Sequence, residues 1–113
     1  MKVAFSAQGN EITSLIEPLF GKAVCLIIYD TSDGCWEIMD TANAFPHLSG
    51  AEDQIARTLI DRGVRIVVTG ECESRAGRML KNAGIHIKEA NEGSISSLID
   101  VVMEKHAGAV DLI

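Results

Sequence analysis

What this chain lacks narrows its function before any motif is read. It has no basic stripe. Ten Lys and Arg stand against sixteen Asp and Glu, a net charge of −6, and Arg75, Arg78 and Lys81 are the nearest approach to a cluster. Nucleic-acid binding rests on concentrated positive charge facing phosphates, so no nucleic-acid partner is expected. No apolar run reaches the roughly eighteen residues of a membrane-spanning helix. The start, Met1-Lys-Val-Ala-Phe-Ser, has no apolar core of a secretory signal and reads as a strand. A cytoplasmic protein without membrane contact is therefore expected. The three cysteines are odd in number, with no Cys-x-x-Cys pair and no zinc-ligand spacing. A structural disulfide and a closed zinc site are not expected.

Enzyme signatures are missing too. There is no phosphate-binding Gly-Lys-Ser/Thr loop, no Gly-x-Gly-x-x-Gly turn after the first strand, no Gly-x-Ser-x-Gly and no His-Glu-x-x-His. A two-metal nuclease of α/β topology needs a carboxylate on its first strand, where this chain has Val3, Ala4, Phe5, Ser6 and Ala7. The chain reads as a binding protein and not an enzyme.

What is present reads as one domain over residues 1–113, of ordinary size and with 47% apolar residues. Residues 2–7 form a first strand that ends at the turn-prone Gln8-Gly9-Asn10. Residues 11–21 are irregular. Ala23–Tyr29 is a continuous apolar run rich in β formers, as in a strand covered on both faces. Thr31-Ser-Asp-Gly34 turns it into the alternating Cys35–Asp40, a β-hairpin. A polar loop carrying Asn43, Pro46, His47 and Ser49 follows. From Gly50, Ala51, Ile55, Ala56, Leu59 and Ile60 share one helical face. A fourth strand covers 64–69, a second helix about 74–83 and a fifth strand 85–88. Gly63 and Gly84 sit where helix C-caps are wanted. Ser94 is a good N-cap for a third helix whose stripe is Ile95, Leu98, Ile99, Val102 and Met103, with Gly108 closing it. Paired helix-Gly-strand units argue for parallel strands with right-handed crossovers. The expected architecture is an α/β three-layer sandwich around a mixed five-stranded sheet.

Chain direction then sorts the reactive side chains by end of the sheet. The carboxyl end of the first strand shares its rim with loops 8–21, 41–49, 70–74 and 90–94. Cys35 and His86 fall at the opposite end, and His106 at the far end of the last helix. With Asp30 paired to Cys35, Cys25 faces Asp40, and the two thiols lie about 17 Å apart at about 3.3 Å per residue. They cannot join in a disulfide or share a metal. Cys25 reads as a core residue and Cys35 with Trp36 as hairpin packing. Only Cys72 and His47 reach the rim. Gly70-Glu-Cys-Glu-Ser-Arg75 puts a thiol, a hydroxyl and a guanidinium within a few residues of a strand tip and a helix start. Such a thiol is expected to ionise easily, and helix N-termini near 50 and 74 offer amides to an anion. The first and fourth strands should be neighbours from which the chain leaves in opposite directions, where α/β sheets bind ligands. Gly9, Gly21 and Gly70 allow close backbone approach.

Met1-Lys-Val-Ala-Phe5, Pro18-Leu-Phe-Gly-Lys-Ala23, Gly50-Ala51, Gly63-Val-Arg-Ile-Val-Val-Thr-Gly70 and Ala76…Leu80…Ala83-Gly-Ile85, in this order and spacing, resemble the nitrogenase iron–molybdenum cofactor carrier and biosynthesis family. This is the NifX/NafY-type fold also found at the C-terminus of NifB proteins. The resemblance implies a ribonuclease-H-like motif and a small non-catalytic carrier. Its cargo would be an anionic iron– or molybdenum–sulfur cluster or a precursor, its partner the protein that donates or accepts that cargo. Candidate cofactor-binding residues are Gly70, Cys72, Ser74, Arg75, Gln8, Phe20 and Gly21; candidate metal ligands are Cys72 and His47. The family commonly has His before Phe-Gly in the first loop, where this chain has Leu19. An alternative thus stays open: an interaction or regulatory module of the same fold without the cluster, whose apolar tail Ala109-Val-Asp-Leu-Ile113 docks on a partner or on a second copy as a homodimer.

Overall fold

The computed structural model describes residues 1–40, 51–70, 72 and 74–102. The strands are β1 (Lys2–Ala7), β2 (Cys25–Asp30), β3 (Trp36–Asp40), β4 (Val64–Thr69) and β5 (His86–Glu89). The helices are α1 (Ala51–Asp61), α2 (Ser74–Asn82) and α3, described over 95–102. A 3₁₀ turn covers Phe20–Lys22. The sheet order is β3-β2-β1-β4-β5, with β1 antiparallel to β2 and parallel to β4. β5 runs parallel to β4 and β3 antiparallel to β2. The mixed five-stranded sheet and its three helices are those the sequence predicts.

Period-two alternation divides the core between the two faces of the sheet. Ala4, Leu26, Ile28 and Val67 pack against Ile55, Ala56 and Leu59 of α1 and Ala76 and Leu80 of α2. Val3, Phe5, Ile27, Ile66 and Val68 pack against Ile95, Ile99 and Val102 of α3 on the other face. The middles of β1, β2 and β4 are covered on both sides, which is why residues 3–5, 25–28 and 66–68 are apolar at successive positions. β3 is an edge strand with only Met39 buried. Its Trp36 ring lies 4.6 Å from that of Tyr29, and Glu37 pairs with Arg62.

The hairpin register is the expected one. The amide of Asp30 donates to the Cys35 carbonyl at 3.0 Å, and Cys25 stands opposite Asp40. Gly84 ends α2 with φ +84°, donating to the Lys81 carbonyl while Ile85 donates to that of Leu80. This left-handed cap favours glycine. It also holds Ile85 in the cap, so β5 begins at His86 and not at 85. For a similar reason β2 begins at Cys25 and not at Ala23, whose amide still closes the 3₁₀ turn on the Phe20 carbonyl. The Ser94 hydroxyl accepts from the Ser97 amide as the expected cap of α3. Met103, His106, Gly108, the 109–113 tail and the 41–50 loop with His47 lie outside the described residues.

Candidate functional site

β1 and β4 are adjacent and parallel, and the chain leaves their carboxyl ends toward opposite sides of the sheet. Their last polar side chains meet there. Ser6 and Thr69 are fully buried, their hydroxyl oxygens 2.8 Å apart, and Ser6 Oγ lies 2.7 Å from the Glu17 carbonyl. With the Ser6 proton directed to that carbonyl, the Thr69 hydroxyl supplies the proton between the pair. A buried polar pair at the tips of two otherwise apolar strands stays favourable only because each oxygen is satisfied.

Above this pair the first loop folds back across the end of β1. Gln8 donates its amide to Leu15 at 2.9 Å, Glu17 to Ser6 at 2.8 Å and Ile16 to Gly93 at 2.9 Å. The carbonyls of Ser14 and Ile12 accept the amides of Ile95 and Ser96, both at 2.9 Å. The first turn of α3 is therefore already bonded within the chain and does not offer those amides to an anion. The Glu17 carboxylate accepts the Leu19 amide at 3.1 Å and steadies the entry into the 3₁₀ turn.

Gly70 is the point where three rim segments meet. It is buried, and a Cβ there would run into the carbonyl of Pro18 and the side-chain oxygen of Asn91. The close approach expected of this glycine is made by the chain itself, which joins the first loop, the end of β4 and the loop after β5. Two residues on, Cys72 is half-buried and packs against the α1/α2 side of the core. A Cβ on Gly77 in α2 would collide with the Cys72 carbonyl and stand 3.9 Å from its Sγ. Helix α2 thus presses directly on the residue that carries the thiol.

The other named residues fall as follows. Gln8 is exposed on the rim, and Gly21 lies in the 3₁₀ turn. Phe20 is 1% exposed and belongs to the core below the rim. Ser74 opens α2. Arg75 projects into solvent, yet its guanidinium pairs with Asp53 of α1 at 3.1 Å. An exposed pair of this kind contributes at most about 1 kcal/mol, but it partly neutralises the cation three residues after the thiol. Leu15, Leu19, Ile12 and Val24 are exposed apolar residues of the first loop and its exit.

The remaining thiols are unlike Cys72 in place and chemistry. Burial, then the Asp40 carboxylate, pushes the Cys25 thiol above its ordinary pKa. The Asp33 carboxylate, foremost among several causes, raises that of exposed Cys35. Both stay protonated at neutral pH and lie at opposite ends of the hairpin. Among the described residues, no three His, Cys, Asp or Glu side chains gather in a metal-holding group. No helix among them is long and apolar enough to cross a membrane.

Sequence reading missed the partners that build the rim: Ser6 with Thr69, Pro18 and Asn91 around Gly70, Asp53 opposite Arg75. Only the first left a usable trace, since two polar residues ending adjacent parallel strands must meet or remain unsatisfied. Asp53 and Arg75 are 22 residues apart and meet only because α1 and α2 start at the same end of the same face.

The fold occurs in solved structures. The apo form of the orange protein of Desulfovibrio gigas superposes with a TM-score of 0.81 at 24% identity, over 92% of this chain and 88% of that one. A Thermotoga protein given the provisional name NifB, of the DUF35 family, superposes with a TM-score of 0.77 at 27% identity, over 91% and 87%. No curated protein matches the chain. The family model described as dinitrogenase iron-molybdenum cofactor matches residues 1–105, nearly the whole chain, and the protein belongs to that family.

Proposed function

We propose that this protein is a non-catalytic carrier that holds an anionic metal–sulfur cluster, or a precursor of one, at the carboxyl ends of β1 and β4. Cys72 supplies a sulfur ligand. The backbone around Gly70 and the N-terminal turn of α2 at Ser74 supply dipoles that favour negative charge. Gln8 lies on the same rim, and Phe20 and Gly21 shape it from below. Arg75 reaches the cargo by sharing or leaving Asp53. His47 is the second candidate ligand. The carrying observation is the placement of Cys72. It is the one partly exposed thiol at this end of the sheet, with Gly70 wedged two residues before it and Gly77 of α2 against its carbonyl; Cys25, buried opposite Ala7 on the α3 face, and Cys35, at the far end of the hairpin, are held protonated. The exposed Ile12, Leu15, Leu19 and Val24 favour a protein partner that delivers or collects the cargo at this rim.

Anaerobic reconstitution with iron, sulfide and molybdate tests the reading. Wild-type protein should develop visible charge-transfer absorption, which Cys72→Ser weakens and Cys35→Ser leaves intact. A colourless wild type under those conditions would sink it. The second reading, an interaction module without a cluster, draws support from the ion-paired state of Arg75 and from the exposed apolar side chains. It predicts protein purified without oxygen to be metal-free yet to retain a stoichiometric partner.

A further inference from the structure

A concavity lies toward the other end of the sheet from Cys72. It has a volume of about 410 Å³ and is lined by Met1, Arg65, Ile66, His86, Lys88 and Val102. The sequence brings these together through strand periodicity. Ile87 packs toward α1 and α2, so His86 and Lys88, one residue either side, face the α3 layer. Arg65 stands at the start of the neighbouring β4, and Val102 lies in the last described turn of α3.

The charge of this concavity is opposite to that of the protein. Sixteen acidic residues outnumber ten basic ones along the chain, yet among the described residues the lining holds an Arg, a Lys and a His and no Asp or Glu. Arg65 and His86 are exposed, and among the described residues neither has a carboxylate partner. The Met1 ammonium is already engaged by Ser32 Oγ at 3.1 Å and by Asp30 at 3.5 Å, so Met1 offers chiefly apolar surface. The floor is also apolar, since Ile66 is 6% exposed and Val102 3%.

We propose that this concavity is a second ligand site, for a small organic phosphate. Its volume is in the range of small-molecule pockets, about 300–1,000 Å³, and it combines apolar walls with a few convergent polar groups as such pockets do. The Arg65 fork takes two phosphate oxygens. His86 adds a ring N–H. A guanidinium fork beside a ring donor suits a phosphate better than a carboxylate, and Ile66, Val102 and Met1 receive the carbon body. The proposal is independent of the metal–sulfur reading, because the two sites share no residue.

Titration of the isotopically labelled full chain with phenyl phosphate, followed by amide chemical shifts, tests it. Saturable shifts are expected at residues 65–66 and 86–88, with the amides of 70, 72 and 75 unmoved. Arg65→Ala should weaken binding about tenfold or more, the scale of losing hydrogen bonds to a charged group, and Arg65→Lys by less. His86→Ala should weaken it several-fold. Both side chains are exposed, so an unchanged pattern of backbone shifts will verify that the variants fold. Inorganic phosphate should bind more weakly than phenyl phosphate, and benzoate more weakly again. Shifts that fail to saturate, shifts centred on the rim, unaltered affinity in Arg65→Ala, or benzoate binding as tightly as phenyl phosphate would each overturn the assignment.

Discussion

Gly77→Ala puts two effects of opposite sign in competition at the thiol. Alanine is better than glycine inside a helix by about 1 kcal/mol. Residue 77 is not among the positive-φ glycines, so backbone geometry raises no objection, and propensity alone predicts stabilisation. The new methyl, however, would occupy the space of the Cys72 carbonyl. That is backbone, not the tip of a flexible side chain. The segment cannot retreat freely either, because Gly70 is wedged against Pro18 and Asn91. Forcing an extra carbon into packed structure costs about 1–3 kcal/mol. The clash should therefore outweigh the propensity, leaving the variant about 1 kcal/mol less stable by urea denaturation at unchanged slope. The displaced loop should also expose Sγ, so alkylation of Cys72 should accelerate in a Cys35→Ser background. A variant more stable than wild type by about 0.5–1 kcal/mol, with unaltered alkylation, would show that α2 does not hold residue 72 and would refute the reasoning.

Two further outcomes follow from the same geometry. Ser6→Ala strands the Glu17 carbonyl and the Thr69 hydroxyl in the interior and should cost about 1–3 kcal/mol. Ser6→Ala with Thr69→Val should cost less than the two single changes added together, by about 1 kcal/mol in a double-mutant cycle; strict additivity would mean the hydroxyls do not interact. Cys25 gives a pH dependence. Its folded pKa lies above the unfolded one, so its contribution is fully present below about pH 9 and is lost as pH rises through the folded value. In a Cys35→Ser background, the urea midpoint should fall in that alkaline window, and Cys25→Ala should flatten the fall; equal slopes with and without the thiol would refute the assignment.

The elements of this fold are written locally, which is why they were legible. Continuous apolar runs specify β1, β2 and β4, the 3.6-residue stripes specify α1, α2 and α3, and Gly63 and Gly84 mark two helix ends. Helix-Gly-strand order makes the β4–β5 pairing parallel, and the hairpin turn sets the register that separates Cys25 from Cys35. The end of the sheet reached by Cys72 also follows from counting chain reversals. Tertiary structure alone decided what surrounds it. That Arg75 answers to Asp53, that Gly70 makes room for Pro18 and Asn91, and that the first amides of α3 bond to the 12–14 segment all depend on contacts between distant segments. The same holds for the basic concavity, whose Arg65, His86 and Lys88 look like scattered surface charges along the chain. Periodicity encodes which face a residue takes, because one element sets it. Proximity between loops is set by how the elements pack, and no single stretch of sequence records that.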